Sequence, residues 1–99
     1  MDLQTATDTL RRKVGDDCRL NAVLKFDCGA DGAAVIDAQA VPNRVHNDAQ
    51  AADCTVELPL ATLGDLLSGE LDPMVGFMTG KFKVHGDMAV AMKLQRVLG

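Results

Sequence analysis

The 99-residue chain predicts an α+β fold: a five-stranded, mainly antiparallel sheet with helices packed on one face, in the order α-ββββ-αα-β-α. Three observations carry this prediction. Apolar residues recur every three or four positions at the N-terminus, then at every second position from Arg19 onward. Helix-start signatures return at Asp72-Pro73 and Gly86-Asp87. Between those two lies a short alternating run, Lys81-Phe82-Lys83-Val84-His85. The length suits one domain over residues 1–99.

The elements follow in order. Leu3, Ala6, Leu10 and Val14 form the apolar face of a first helix, with Asp2 and Asp8 near its start. Arg11-Arg12-Lys13 complements the negative end of its dipole, and Gly15-Asp16-Asp17 breaks the pattern. From Arg19 to Asp27, Leu20, Ala22, Leu24 and Phe26 point inward from a strand, while Asn21, Lys25 and Asp27 point mostly outward. Gly29-Ala30-Asp31-Gly32 turns the chain, and residues 33–40 return as the second arm of a hairpin around Val35 and Ile36. Pro42-Asn43 marks a further turn before a short strand around Val45. Asp53 to Leu58 is a fourth strand, with Cys54, Val56 and Leu58 inward.

Pro59 closes the sheet-rich half. Thr62 with Asp65 predicts a helix cap, Leu63, Leu66 and Leu67 supply the buried stripe, and Ser68-Gly69 ends that helix. The next helix starts at Asp72-Pro73, presents Met74, Val75, Phe77 and Met78 as its apolar face, and ends at Gly80. After the strand from Lys81 to His85, Gly86-Asp87 opens a last helix that runs to about Leu98.

Composition narrows the function classes. Hydrophobic residues make up 47% of the chain but aromatic ones only 3%, with no Trp or Tyr, so the core is aliphatic. A net charge of −4 with no basic stripe argues against nucleic acid, whose phosphates demand one. The same charge leaves at most transient contact with anionic membranes. Cys18, Cys28 and Cys54 are an odd set without C-x-x-C spacing, which suits free thiols in a reducing compartment. The N-terminus lacks a signal-peptide pattern, no run approaches the ~20 apolar residues of a membrane span, and the C-terminal residues are not a peroxisomal tripeptide. The expected location is the cytoplasm.

Catalytic and metal-binding patterns are sparse. The single serine, Ser68, stands in a helix ending rather than a nucleophile motif. Cys54 falls on the inner face of a strand, where a thiol is ordinarily packing. His46 and His85 have neither the i, i+4 pairing nor the cysteine spacing of a metal site. The fourteen acidic residues are scattered, and Gly80 and Gly86 bracket a strand instead of forming a phosphate loop. No cofactor is implied. The distinctive feature is four of the five methionines in two pairs, Met74/Met78 and Met88/Met92, each four residues apart. That spacing puts both members on one side of a helix. Such pairs are ordinarily core, but methionine is also the adaptable filler of surfaces that accept variable ligands.

The stretch from Ala52 to Leu98 carries a resemblance. Ala52-Asp53-Cys54-Thr55, Leu67-Ser68-Gly69 and Asp72-Pro73 are followed by Phe77-Met78, Gly80-Lys81, Lys83-Val84 and Gly86-Asp87-Met88. Ala91-Met92-Lys93-Leu94-Gln95 completes the series. This pattern resembles the sterol carrier protein-2 family of lipid-binding domains, and the alanine-rich chain is similar to a compact bacterial member. The resemblance implies a five-stranded sheet covered on one side by helices, and an apolar tunnel between the two layers. It implies a tunnel lining of Leu24, Leu66, Leu67, Phe77, Met78, Phe82, Val84, Met88 and Met92. The implied partner is a hydrophobic small molecule: a fatty acid, acyl-CoA, sterol or isoprenoid. The subunit is expected as a monomer or homodimer.

The leading expectation is therefore a non-catalytic lipid carrier. A second is an accessory protein that presents an isoprenoid quinone precursor to enzymes. A third is a thioesterase using Cys54 or His85, and a fourth a purely structural role. The tunnel lining implies that Met78→Lys or Met92→Lys harms binding more than Lys93→Ala, because a charge in an apolar tunnel is costly.

Overall fold

The computed structural model describes residues 1–98. Helix α1 (Leu3–Val14) starts where the Asp2 carboxylate accepts the Thr5 N–H at 2.7 Å, and it buries Ala6, Thr7, Leu10 and Val14. The Arg11 guanidinium donates to the Val45 carbonyl at 3.1 Å, tying the end of this helix to the sheet.

The sheet consists of β1 (Val23–Asp27), β2 (Ala33–Asp37), β3 (Arg44–His46), β4 (Cys54–Glu57) and β5 (Lys83–Gly86), in the spatial order β3-β2-β1-β4-β5. All neighbours are antiparallel except β1 and β4, so the sheet is mixed. The parallel pair has a topological consequence. β3 ends at the opposite end of the sheet from the start of β4, so residues 47–53 must cross the outer face diagonally. Gln50 fastens this crossing, bonded to His46 at 2.7 Å and donating to Asp37 at 2.9 Å. Beneath it Val23 and Val35 are buried although they point away from the helices.

The inner face presents Leu24, Phe26, Ala34, Ile36, Val45, Cys54 and Val56, all buried. Helices α1, α2 (Leu60–Ser68), α4 (Met88–Ala91) and α5 (Leu94–Leu98) contribute Leu10, Leu63, Leu66, Leu67, Val90, Leu94, Val97 and Leu98 to the same core. The short helix α3 (Pro73–Met78) stands at the margin, against α5. This is the α+β arrangement that the sequence predicts, with helices gathered on one face.

Several boundaries move, each for a local reason. β1 begins at Val23 rather than Arg19, because Arg19 and Asn21 both have positive φ, 62° and 54°. Leu20 and Ala22 are nevertheless buried; their alternation comes from two left-handed residues, not from a pleat. β2 ends at Asp37, short of residue 40. The Gly29–Asp31 turn is a single turn of 3-10 helix. Thr62 is not a cap: α2 starts at Leu60, with Pro59 at the N-cap and no side-chain bond there. The predicted final helix divides into α4 and α5. At the break the Lys93 N–H bonds to Val90, three residues back, and the Lys93 ammonium reaches the Leu20 carbonyl at 3.2 Å. The tightened turn redirects the chain so that Leu94, Val97 and Leu98 enter the core.

Candidate functional site

The hollow that stands out is formed by α3, β5, α4 and α5. Its walls are Pro73, Met74, Phe77, Phe82, Val84, Met88, Ala91, Met92, Leu94 and Gln95. Capping chemistry places two of these walls, α3 and α4. The Asp72 carboxylate accepts the N–H groups of Met74 and Val75 at 2.9 and 3.3 Å, and Pro73 takes the first helical position. The Asp87 carboxylate does the same for Ala89 at 2.8 Å and starts α4. β5 supplies Val84, opposite Val56 on the inner face.

Phe82 is the back wall, only 4% exposed. Its ring packs closely against α3 because residue 76 is glycine: a Cβ there would come within 2.7 Å of the ring edge. Phe77 leans over it, ring centroids 6.4 Å apart and tilted by 42°. The one polar side chain of the wall, Gln95, donates to the Asp72 carboxylate at 3.4 Å and links α5 to α3. The hollow has a volume of about 50 Å³.

Five of the nine residues expected in a lining meet here: Phe77, Phe82, Val84, Met88 and Met92. Leu24, Leu66 and Leu67 do not; they are closed into the core between sheet and helices. The space between those layers is therefore filled by packed aliphatic side chains, and the hollow lies at the sheet edge. Met78 is also outside it and is 78% exposed. The predicted apolar face of α3 is a surface in fact, since Met74, Val75, Phe77 and Met78 are all exposed and Gly76 is the buried position. A six-residue helix that docks through a glycine cannot also bury a methionine stripe. Met88 and Met92 flank the hollow but remain largely open, Met92 at 72%. Pro73, Met74, Ala91, Leu94 and Gln95 were not in the expected lining. Met74 was legible as the i−4 partner of Met78, whereas the place of Gln95 depends on the break between α4 and α5.

The thioesterase constellation is not assembled. In the β4–β5 register Cys54 faces Gly86 while Thr55 faces His85, so Cys54 and His85 point to opposite faces of the sheet. Burial raises the Cys54 thiol pKa, and nearby Asp87 and Asp53 raise it further. Cys28 is pushed up to about 11 by burial, then by Asp27 and Asp31. Neither forms a thiolate near neutral pH. His85 lies on the outer face, 3.2 Å from Glu57. Among the described residues no three His, Cys, Asp or Glu side chains converge as a metal site, and no helix is long and apolar enough to cross a membrane.

Residues 13–99 match the profile of the SCP-2 sterol transfer family. Sterol carrier protein 2 from Bos taurus is 39% identical over 51 residues, 52% of this chain and 9% of that protein. Stomatin-like protein 1 from Homo sapiens is 36% identical over 94 residues, 93% of this chain and 23% of that protein. The chain thus spans less than a quarter of the length of these relatives. Among solved structures, the sterol carrier protein domain 2 of Helicoverpa armigera superposes with a TM-score of 0.70 at 26% identity, over 96% of this chain and 83% of that one. A UbiJ-SCP2 ubiquinone synthesis protein superposes at 0.62 with 22% identity, over 97% of this chain and 76% of that one.

Proposed function

The chain belongs to the SCP-2 sterol transfer family, and from that premise we propose that it is a non-catalytic carrier that holds a single-chain lipid against the hollow between α3, β5, α4 and α5. The observation that carries this is the hollow's wall: nine of its ten side chains are apolar, and three of them are methionines. Unbranched thioethers change rotamer at little cost and follow the shape of a guest.

The energetics suit a reversible carrier. Burial of a methylene contributes roughly 0.8 kcal/mol, so about ten methylenes contribute roughly 8 kcal/mol before ordering costs, the scale of micromolar binding. Empty, the hollow of about 50 Å³ costs roughly 1 kcal/mol at ~24 cal/mol per Å³. Filling it should raise the melting temperature by several degrees, since 1 kcal/mol corresponds to about 4–8 °C in a domain of this size. Thermal melting with and without long-chain fatty acid checks this, and native mass spectrometry of freshly purified protein reports the bound mass and the subunit count together. An unchanged melting temperature with every lipid, and no bound mass, would overturn the proposal.

The quinone-precursor alternative shares the fold and differs in the ligand. The same mass measurement decides between them: a bound mass in the fatty acid range supports the carrier of acyl chains, and a prenylated aromatic supports the alternative. A thioesterase role has no support from the opposed placement of Cys54 and His85.

A further inference from the structure

Large hydrophobic side chains outside the core gather on one face. Met74, Val75, Phe77 and Met78 of α3 are exposed, and so are Met88 and Met92 at the start and end of α4. Met74, Phe77, Met88 and Met92 all border the hollow, so the face is continuous across its mouth. Within α3 only Gly76 is buried, which leaves the rest of the helix surface apolar and open. Several hundred Å² of apolar surface lie together here, as much as the largest patch of a typical monomer. Methionine and aromatic side chains are also the ones that interface cores favour over the rest of a surface.

The charges at the two ends of α3 indicate what covers this face. The chain enters the helix through Glu70 and Asp72 and leaves it through Lys81. Asp72 is engaged in the cap of α3 and with Gln95, and Asp87 in the cap of α4. Glu70 and Lys81 are exposed, and among the described residues neither forms an ion pair. A charged lipid surface selects a rim of one sign, and the net charge of −4 opposes an anionic one. A rim that is acidic at one end and basic at the other complements a copy of itself. We propose that this face is the contact of a homodimer, in which α3 packs antiparallel against α3 of a second copy.

The geometry of such a contact is fixed by symmetry. A twofold axis beside the middle of α3 brings each apolar face against its copy, the isologous arrangement of most small homodimers. It also sets Glu70 opposite the partner's Lys81, and does so twice, once on each side of the axis. Glu70 and Lys81 lie at equal distances in sequence from the centre of α3, between Val75 and Gly76. Six side chains with two flanking ion pairs make a face at or below the ~800 Å² per partner of a standard interface. The dimer is therefore an exchanging one, with a Kd on the order of 10–100 μM.

Sedimentation equilibrium across the micromolar to millimolar range tests this without any ligand. Glu70→Lys and Lys81→Glu should each raise the Kd about tenfold, because each sets like charges opposite one another at two points. An equal mixture of the two variants should form a heterodimer about as tight as the unsubstituted dimer, since attraction returns at both points. Met78→Lys, at a position 78% exposed in one protomer, should also weaken the dimer at least tenfold. Val41→Lys should leave it unchanged; that side chain is 66% exposed but lies between β2 and β3, at the far edge of the sheet. A mixture no tighter than its separate parts, or equal losses at Val41 and Met78, would overturn the antiparallel pairing. An unsubstituted protein that stays monomeric at millimolar concentration would overturn the dimer. If that monomer sediments with phosphatidylcholine vesicles, the face belongs to a lipid surface instead.

Discussion

Met78 and Met88 have the same side chain, and each has a methionine partner four residues away, yet only Met88 borders the hollow. The difference lies in what each helix docks through. α3 approaches the body of the protein by Gly76, so its last residue, Met78, projects past the contact; α4 docks by Val90 and leaves Met88 beside Phe82 and Val84. A lysine at each position should separate them. Met88→Lys places an ammonium in an apolar wall and should weaken fatty acid binding at least tenfold, a cost of about 1.4 kcal/mol or more. Met78→Lys should change affinity less than twofold. Titration of both variants with the same fatty acid checks this, and equal losses would place the site elsewhere. Lys93→Ala is no neutral control, since its ammonium holds the Leu20 carbonyl.

At the scale of elements, the crossing segment 47–53 is held by side chains rather than by a ladder. Asp37 accepts from Gln50, and Gln50 in turn meets His46, whose other ring nitrogen accepts the Asp48 N–H at 3.1 Å. The Gln50 amide, followed by the Gln39 N–H, holds the Asp37 carboxyl below its ordinary pKa. A carboxyl with a depressed folded-state pKa binds fewer protons folded than unfolded, so its stabilisation is present above the unfolded value and lost as pH falls through the folded one. The melting temperature should therefore drop as pH falls from about 5 to about 3, and Asp37→Asn should flatten part of that slope. An unchanged slope in the variant would show that this anchor is not what acid releases. The crossing itself was not legible. A period-two pattern reports which residues share a face, but not which strands neighbour one another, and the parallel β1–β4 pair joins segments about thirty residues apart. Caps were legible at Asp72 and Asp87 because an N-cap is a bond within three residues. The cap expected at Thr62 failed, since a favourable residue pair does not decide where the preceding strand lets go.

For the whole molecule, six of the eight large hydrophobic residues that remain exposed belong to α3 or lie between Met88 and Met92. Such clustering marks a binding surface rather than scattered surface residues. The dye 1-anilinonaphthalene-8-sulfonate should therefore fluoresce with the native protein in the absence of denaturant, and added dodecanoate should quench the signal. Fluorescence that fatty acid leaves unchanged would mean that dye and lipid occupy different surfaces.

The sequence by itself determined the class of fold, the helix faces of α1 and α2, the inward alternation of the strands and the family. All of these depend on spacing within one element or on a local motif. Only the tertiary structure decided where empty space remains. Leu24, Leu66 and Leu67 have the composition of a lining but meet one another and fill the layer between sheet and helices. The hollow survives instead at the edge, where Gly76 brings α3 close to Phe82 and the turn at Lys93 carries α5 away from α4. Hydrophobicity states which side chains leave water; whether they close on each other or leave a gap depends on how rigid elements meet, and no single stretch of chain contains that information.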